Sequence, residues 1–402
     1  MSLLRLARPG KVDVVYGGQF GDEGKGTVAA ALGHLYDFAV RVGGQNAEHR
    51  FDWRGVQYTG RIWPSSIVRN TEGYRQHQVL GAGHIIDPYE AVKELLHYAN
   101  GDVAKAQRLT GHIIIDRNTG VVTDAHREES RNRKKAGGST WQGIGVAAAH
   151  KVRRDGTFPT VGQLITPDGF LEVFLSGDEC SENPVVFRFR VDNTSDIMSI
   201  WSDHGWIGLA EGSQGALLSL DHGYYPYCTA KNVTPAGIFA EAGLPLSRAG
   251  MSIGVYRMLP MRVPGNSGPT GGREIPWQEL ESFLGEELPM ERKIQTDSPI
   301  GEVERIFEWS WADFAWSFAL TRPDCIVLTF ADYHHPQNKF ATEWDQLHPT
   351  TKQLVMDVSR YAPVIMVRTG PGQFDYVAGL GIPEGWSQGP LQRTIHGLML
   401  KK

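Results

Sequence analysis

The run from Gly17 to Thr27, GGQFGDEGKGT, sets glycines, two adjacent carboxylates and a lysine between a β-branched segment, Val12 to Tyr16, and a helical stretch from about Gly26 to Leu35. A strand that ends in a glycine-rich turn and opens a helix makes a phosphate cradle, because backbone N–H groups, the positive helix end and a lysine converge on one anion. The spacing is not that of a Walker P-loop: Gln19 stands where the lead glycine is required, and Gly26 follows Lys25 in place of Ser or Thr. Asp22 and Glu23 are the anomaly. Carboxylates repel phosphate unless a metal or a proton transfer needs them, although one acid here also suits a plain helix cap.

A cradle of this kind needs a rigid frame to hold it. Apolar runs recur at Phe38 to Val42, His112 to Ile115, Trp206 to Ala210, Cys325 to Phe330 and Val364 to Val367. Such runs are expected of parallel strands buried on both faces and ending in loops at their carboxyl edge. Helical patterns such as Pro88 to Tyr98 and Thr351 to Tyr361 lie between them, so the alternation predicts an α/β fold. The expected architecture is a large, mostly parallel central sheet flanked by helices, with a P-loop-like nucleotide site and long loop excursions. No repeat or linker divides the chain, which reads as one domain over 1–402. Pro264 to Arg273, PGNSGPTGGR, is the expected long mobile loop.

Composition narrows the partners. With 402 residues and 41% hydrophobic content, the chain can bury a large core without disulfides or metal. A net charge of −5 and the absence of a long basic stretch argue against a nucleic-acid surface, and the mixed cluster Arg127 to Lys135 reads as a solvated helix face. Cys180, Cys228 and Cys325 lack ligand or disulfide spacing, which fits a reducing cytoplasm. No apolar run approaches the length of a membrane span.

The segment GGQFGDEGKG resembles the GDEGKG signature of the adenylosuccinate synthetase family. Further matches are VGGQNAEHR (Val42 to Arg50), WPSSI (Trp63 to Ile67), GSTWQGIG (Gly138 to Gly145) and, longest, EGSQGALLSLDHGYYPYCT (Glu211 to Thr229). The resemblance implies that a γ-phosphoryl group is transferred to O6 of a purine monophosphate and then displaced by L-aspartate. It makes Asp22 the base that removes the N1 proton, His49 the acid beside the leaving oxygen and Gln214 a contact to O6. It puts Gly21, Glu23, Gly24, Lys25, Gly26, Asn46 and Ser139 at nucleotide, Thr140 and Thr229 at the monophosphate, and Arg154 across a homodimer interface. Magnesium is implied, with Asp22 and Glu48 as its ligands, and GTP or ATP as donor.

Departures from the family pattern bear on substrate choice. Glu48 and Arg50 replace the glycine and threonine that flank the family's histidine, and the glycine carbonyl there usually serves magnesium. The aspartate-clamping loop corresponds to Gln295 to Arg305, where Arg305 survives but Glu302 and Glu304 stand in place of positive charge. Acidic groups there repel a dicarboxylate, so either Arg292, Lys293 and Arg305 rebuild the clamp or the amine is not aspartate. The donor-base motif becomes Phe330-Ala331-Asp332, in which a ring replaces a stacked lysine. The loop Thr369-Gly370-Pro371 keeps its core and is a phosphate or ribose contact. These changes resemble the viral branch of the family that makes 2-aminoadenine nucleotides, so IMP and GMP or dGMP are both candidate acceptors.

Overall fold

The computed structural model describes residues 6–132, 141–177, 181–290, 293, 303–372 and 374–378. Among them, eleven strands form one sheet. Across the sheet the order is Tyr376–Ala378, Val364–Arg368, Cys325–Thr329, Ala249–Arg257, Val12–Gly17, Gly208–Gly215, Phe38–Arg41, His77–Leu80, Ile113–Asp116, Ser181–Asp192 and Phe170–Gly177. Neighbours run parallel except at the two edges, where Phe170–Gly177 and Tyr376–Ala378 pair antiparallel. The mostly parallel α/β sheet expected from the apolar runs is therefore what forms.

Each of those runs forms a strand, and Val12–Gly17, Phe38–Arg41, Ile113–Asp116, Cys325–Thr329 and Val364–Arg368 are buried throughout. Burial on both faces follows from helices covering both sides of a parallel sheet. Two central strands gave no clear apolar run. His77–Leu80 opens with His77 and Gln78, and Ala249–Arg257 is broken by Gly250, Ser252 and Gly254. Their place is set by pairing: Ile253 lies opposite Val15 on one side and Cys325 on the other.

Val12–Gly17 sits between Gly208–Gly215 and Ala249–Arg257, so its glycine-rich turn emerges at the carboxyl edge of the sheet's middle. Ligands in open α/β sheets bind at that edge. Two small additions fold over it: a hairpin, His49–Trp53 with Val56–Gly60, and a three-stranded sheet of Met261–Arg262, Arg305–Phe307 and Glu274–Ile275. The segment Pro264 to Arg273 is held down rather than free. Gly271 donates its N–H to Asp313 at 2.7 Å, and Arg273 pairs with Glu279 and Glu308.

Candidate active site

The glycine-rich turn is built around Glu23. Its buried carboxylate accepts the N–H groups of Gln19 and Gly21 at 3.0 and 2.9 Å and pairs with Lys25 at 2.7 Å. Glu23 therefore shapes the cradle from beneath. Neither acid caps the helix Lys25–Leu32, whose N-cap is Gly24 with φ 81° and no side-chain cap. Asp22 adopts the left-handed region, φ 55°, a conformation that is costly for a residue with a Cβ and that collects at functional sites. Burial, with Glu23 adding to it and Lys25 opposing it, raises the Asp22 carboxyl above the ordinary range.

Two cavities meet at this turn. One, of about 700 Å³, is walled by Gly21, Asn46, Gln214, Thr229 and Arg262, and the other, of about 450 Å³, by Gly24, Gly26, Arg257, Phe330, Asp332, Gly370 and Pro371. Asp22, Lys25, Glu48 and His49 line both. A group held in one cavity thus faces a group held in the other across two carboxyl groups, a lysine and an imidazole.

His49 reaches this junction because Gly26 lets the hairpin lie against the helix start; a Cβ on Gly26 would stand 2.6 Å from the His49 Cβ. Its Nδ1 is hydrogen-bonded to Glu211, which also accepts from Ser65 Oγ and Ser65 N, both at 2.7 Å, and lies 3.8 Å from Arg41. A carboxylate on Nδ1 assigns the ring proton to that atom and leaves Nε2 as the acceptor. Burial, reinforced by Arg41 and opposed by Glu211, pulls the imidazole down to about 4, so the ring is uncharged at pH 7.

Unpartnered polar atoms mark the larger cavity. Asn46 Oδ1, His49 Nε2, both polar atoms of Gln214, and Arg262 Nε and Nη2 are buried without a hydrogen-bond partner. Native proteins pair such atoms, and a cluster of exceptions on one cavity wall is the mark of a site for a polar ligand. Gln214 is also left-handed, φ 58°. Arg262 is 2% exposed and stacks on Phe20 at 4.2 Å; burial, with Arg305 beside it, lowers its pKa to about 10, still charged at neutral pH.

In the smaller cavity Arg257 sits over Phe330, its Cζ 3.4 Å from the ring centroid, and donates from Nη1 to the Asp22 carbonyl at 3.1 Å. Phe330 is left-handed, φ 57°, at the end of its strand. Glu48 is held by Arg50 and Arg61.

The structure brings together most of the residues singled out from sequence. Gly21, Asp22, Gly24, Lys25, Gly26, Asn46, Glu48, His49, Gln214, Thr229, Phe330, Asp332, Gly370 and Pro371 line one or both cavities. Thr369 is buried behind them, its hydroxyl on the Ala341 carbonyl at 2.7 Å. Arg305 pairs with Glu274 and lines neither cavity, and Arg154 is exposed at a helix end. Ser139, Thr140, Arg292 and most of the segment 295–305 lie outside the described residues. Glu211, Arg257 and Arg262 carried no sequence assignment. Glu211 opens the longest matched motif, so its position held a signal, whereas the two arginines are the last residues of their strands and stand in no recognisable pattern.

The sequence profile of the adenylosuccinate synthetase family matches residues 14–177 and 178–287. The adenylosuccinate synthetase of Pyrococcus sp. (strain ST700) is 27% identical over 370 residues, 89% of this chain and 95% of the relative. The N6-succino-2-amino-2'-deoxyadenylate synthase of Vibrio phage phiVC8 is 28% identical over 337 residues, 81% and 87% of the two chains. Two solved structures share the fold with a TM-score of 0.72. The fully ligated adenylosuccinate synthetase of Plasmodium falciparum is 18% identical, with 92% of this chain and 99% of that one covered. The cyanophage S-2L succinoaminodeoxyadenylate synthetase, bound to dGMP and dATP, is 24% identical, with 98% and 100% covered. With 274 of its 402 residues inside the matched profile (164 in the first segment, 110 in the second), the chain belongs to the adenylosuccinate synthetase family.

Proposed function

We propose that the protein is a ligase that joins L-aspartate to C6 of a purine nucleoside monophosphate, driven by GTP or ATP. The observation that carries this reading is the pair of cavities sharing Asp22, Lys25, Glu48 and His49. Two nucleotides seated there meet end to end, with the purine ring in the larger cavity and the triphosphate across the glycines.

The chemistry needs a base at N1, a donor at O6 and charge neutralisation at the transferred phosphoryl group. Asp22 takes the N1 proton, a role its raised pKa favours, while O6 attacks the γ-phosphorus, the bond to the β–γ bridging oxygen breaks and the nucleoside diphosphate leaves. Lys25 and the N–H groups of the turn hold the phosphates. The negative charge arriving at His49 Nε2 counters the field of Arg41, so the ring can take a proton shed by the aspartate nitrogen and support departure of the O6 phosphate as that nitrogen bonds to C6. Gln214 and Asn46 give their free polar atoms to the purine, and Thr229 to the monophosphate.

Magnesium commonly binds through one or two carboxylates and the substrate phosphates, without an all-protein cage. Among the described residues no three metal-ligating side chains converge, which suits that mode with Asp22 as the protein ligand. Glu48 joins it by releasing Arg50 or Arg61. Bound there, the ion would neutralise charge on the transferred phosphoryl oxygens. Arg154 reaches a second subunit in a homodimer, and the free thiols of Cys228 and Cys325 fit the cytoplasm. No described helix is long and apolar enough to cross a membrane.

The test is direct. Incubation with ATP or GTP, magnesium and L-aspartate against IMP, dIMP, GMP and dGMP should yield a succinyl adduct by mass spectrometry with at least one acceptor. Phosphate release that is independent of aspartate would instead assign a phosphotransferase lacking amine capture.

A further inference from the structure

Arg262 has no task in the scheme above. It is the last residue of the short strand Met261–Arg262, is buried, and lies on the wall of the larger cavity. Its guanidinium is held at three points: Nη1 donates to the Ser267 carbonyl, and Cζ lies 4.2 Å from the Phe20 ring centroid and 5.5 Å from that of Tyr224. Arg305, opposite it on the neighbouring strand, ties down the same loop by donating to the Gly268 carbonyl at 2.7 Å. The side chain is therefore fixed before any ligand arrives.

Nε and Nη2 are the atoms left without a partner. They form one edge of the planar guanidinium, where two N–H bonds point the same way and match the two oxygens of a carboxylate. No described acid takes that edge. Asp313, behind Tyr224, already accepts from Tyr224 Oη and from the Gly271 N–H, at 2.6 and 2.7 Å. A buried cation with an empty fork is unfavourable until an anion fills it. Position selects the anion. Phe20 belongs to the glycine-rich turn and precedes Asp22 by two residues, so Arg262 stands against the turn that carries the base proposed for N1. C6 is bonded to N1, whereas the monophosphate is the opposite end of that nucleotide. The participant that must approach C6 is the amino acid, and it carries carboxylates. Lys293 and Arg305, the cations at either end of the segment expected to clamp it, pair instead with Glu281 and Glu274.

We propose that Arg262 receives a carboxylate of the amino-acid substrate through Nε and Nη2 and so directs its nitrogen toward C6. This rests on the ligase reading above. Carboxylate recognition in this chain thereby shifts from the segment 295–305, where Glu302 and Glu304 stand in place of positive charge, to the strand paired with Arg305.

The experiment compares the full-length protein with Arg262→Met and Arg262→Lys. Steady-state rates are measured with L-aspartate, and calorimetry measures the affinity for whichever of IMP, dIMP, GMP and dGMP gives the adduct. Arg262→Met, which keeps a long side chain and loses the charge, should raise the KM for L-aspartate roughly 10- to 100-fold while kcat stays within about three-fold. Arg262→Lys, which keeps the charge and loses the fork, should raise it less. Monophosphate affinity should stay within about three-fold in both variants, which also reports a folded cavity. An unchanged KM for L-aspartate in Arg262→Met would overturn the proposal, and so would an unchanged KM in Arg262→Lys if the Met variant fails to bind the monophosphate. A loss of monophosphate affinity larger than the rise in that KM would also overturn it and assign Arg262 to the nucleotide. Absence of any succinyl adduct with the unaltered protein would count against the ligase reading itself.

Discussion

His49 and Glu211 are joined through Nδ1 and a carboxylate oxygen beneath the meeting point of the two cavities, and the bond leaves Nε2 of the same ring without a partner. Glu211 is in turn fixed by Ser65 and Arg41, so the imidazole is aimed by a chain of buried contacts. Glu211→Gln should lower kcat by roughly 10²- to 10⁴-fold, the range of general acid–base catalysis, with little change in substrate KM. Loss of the anion also leaves Arg41 buried and unpaired, and breaking such a pair costs about 3–5 kcal/mol in urea unfolding. A kcat close to that of the parent would remove Glu211 from the mechanism.

The same pair predicts a titration. An imidazole held at about 4 in the folded protein, against about 6.5 when unfolded, binds fewer protons in the native state across that interval. Its contribution to stability is therefore present above about pH 6.5 and lost as pH falls toward about 4. The His49 ring resonances in NMR should not titrate between about pH 5 and 8 in the absence of nucleotides, and should move upward in pH when both nucleotides are bound.

Asp22→Asn removes the proposed N1 base and keeps the shape of the turn. The turnover rate should fall by roughly 10²- to 10⁴-fold while monophosphate affinity, measured by calorimetry, stays within a few-fold. Because burial raises the Asp22 carboxyl, the parent enzyme should lose activity on the acid side through a group above the ordinary aspartate value. That limb should vanish in the variant. Full turnover by the Asp22→Asn variant would require another base.

Gln214 combines left-handed backbone with two buried, unpartnered polar atoms, so the chain is strained there in two ways. Gln214→Gly should relieve both and raise the unfolding free energy by about 1 kcal/mol, although the loss of side-chain packing opposes it. The same change should lower kcat/KM for the purine monophosphate by about ten-fold or more. A variant that lost stability without losing kcat/KM would identify Gln214 as a packing residue.

Phe330→Ala removes the ring on which Arg257 lies. Stacking of this kind contributes about 0.5–2 kcal/mol, so triphosphate affinity should fall by roughly 2- to 30-fold. Monophosphate affinity should be unaffected, because Phe330 lines only the smaller cavity. Equal losses for both nucleotides would mean that the ring supports the fold rather than the donor.

Much of the site is legible in the order of residues alone. The Gly17 to Thr27 turn, the Asn46 to His49 loop and the Gln214 to Thr229 segment are contiguous motifs, and the apolar runs that carry them are local patterns of burial. Those features depend on near neighbours in the chain. What tertiary structure decided is which distant groups meet: Glu211 lies 162 positions from His49, and Arg257 lies 235 from Asp22. It also gave opposite tasks to adjacent acids. Glu23 turns inward to Lys25 and the N–H groups of the turn, whereas Asp22, held left-handed, faces both cavities. Residue type and spacing specify a carboxylate, but its direction depends on backbone torsion and its pKa on burial and surrounding charge, and those exist only once the chain has folded.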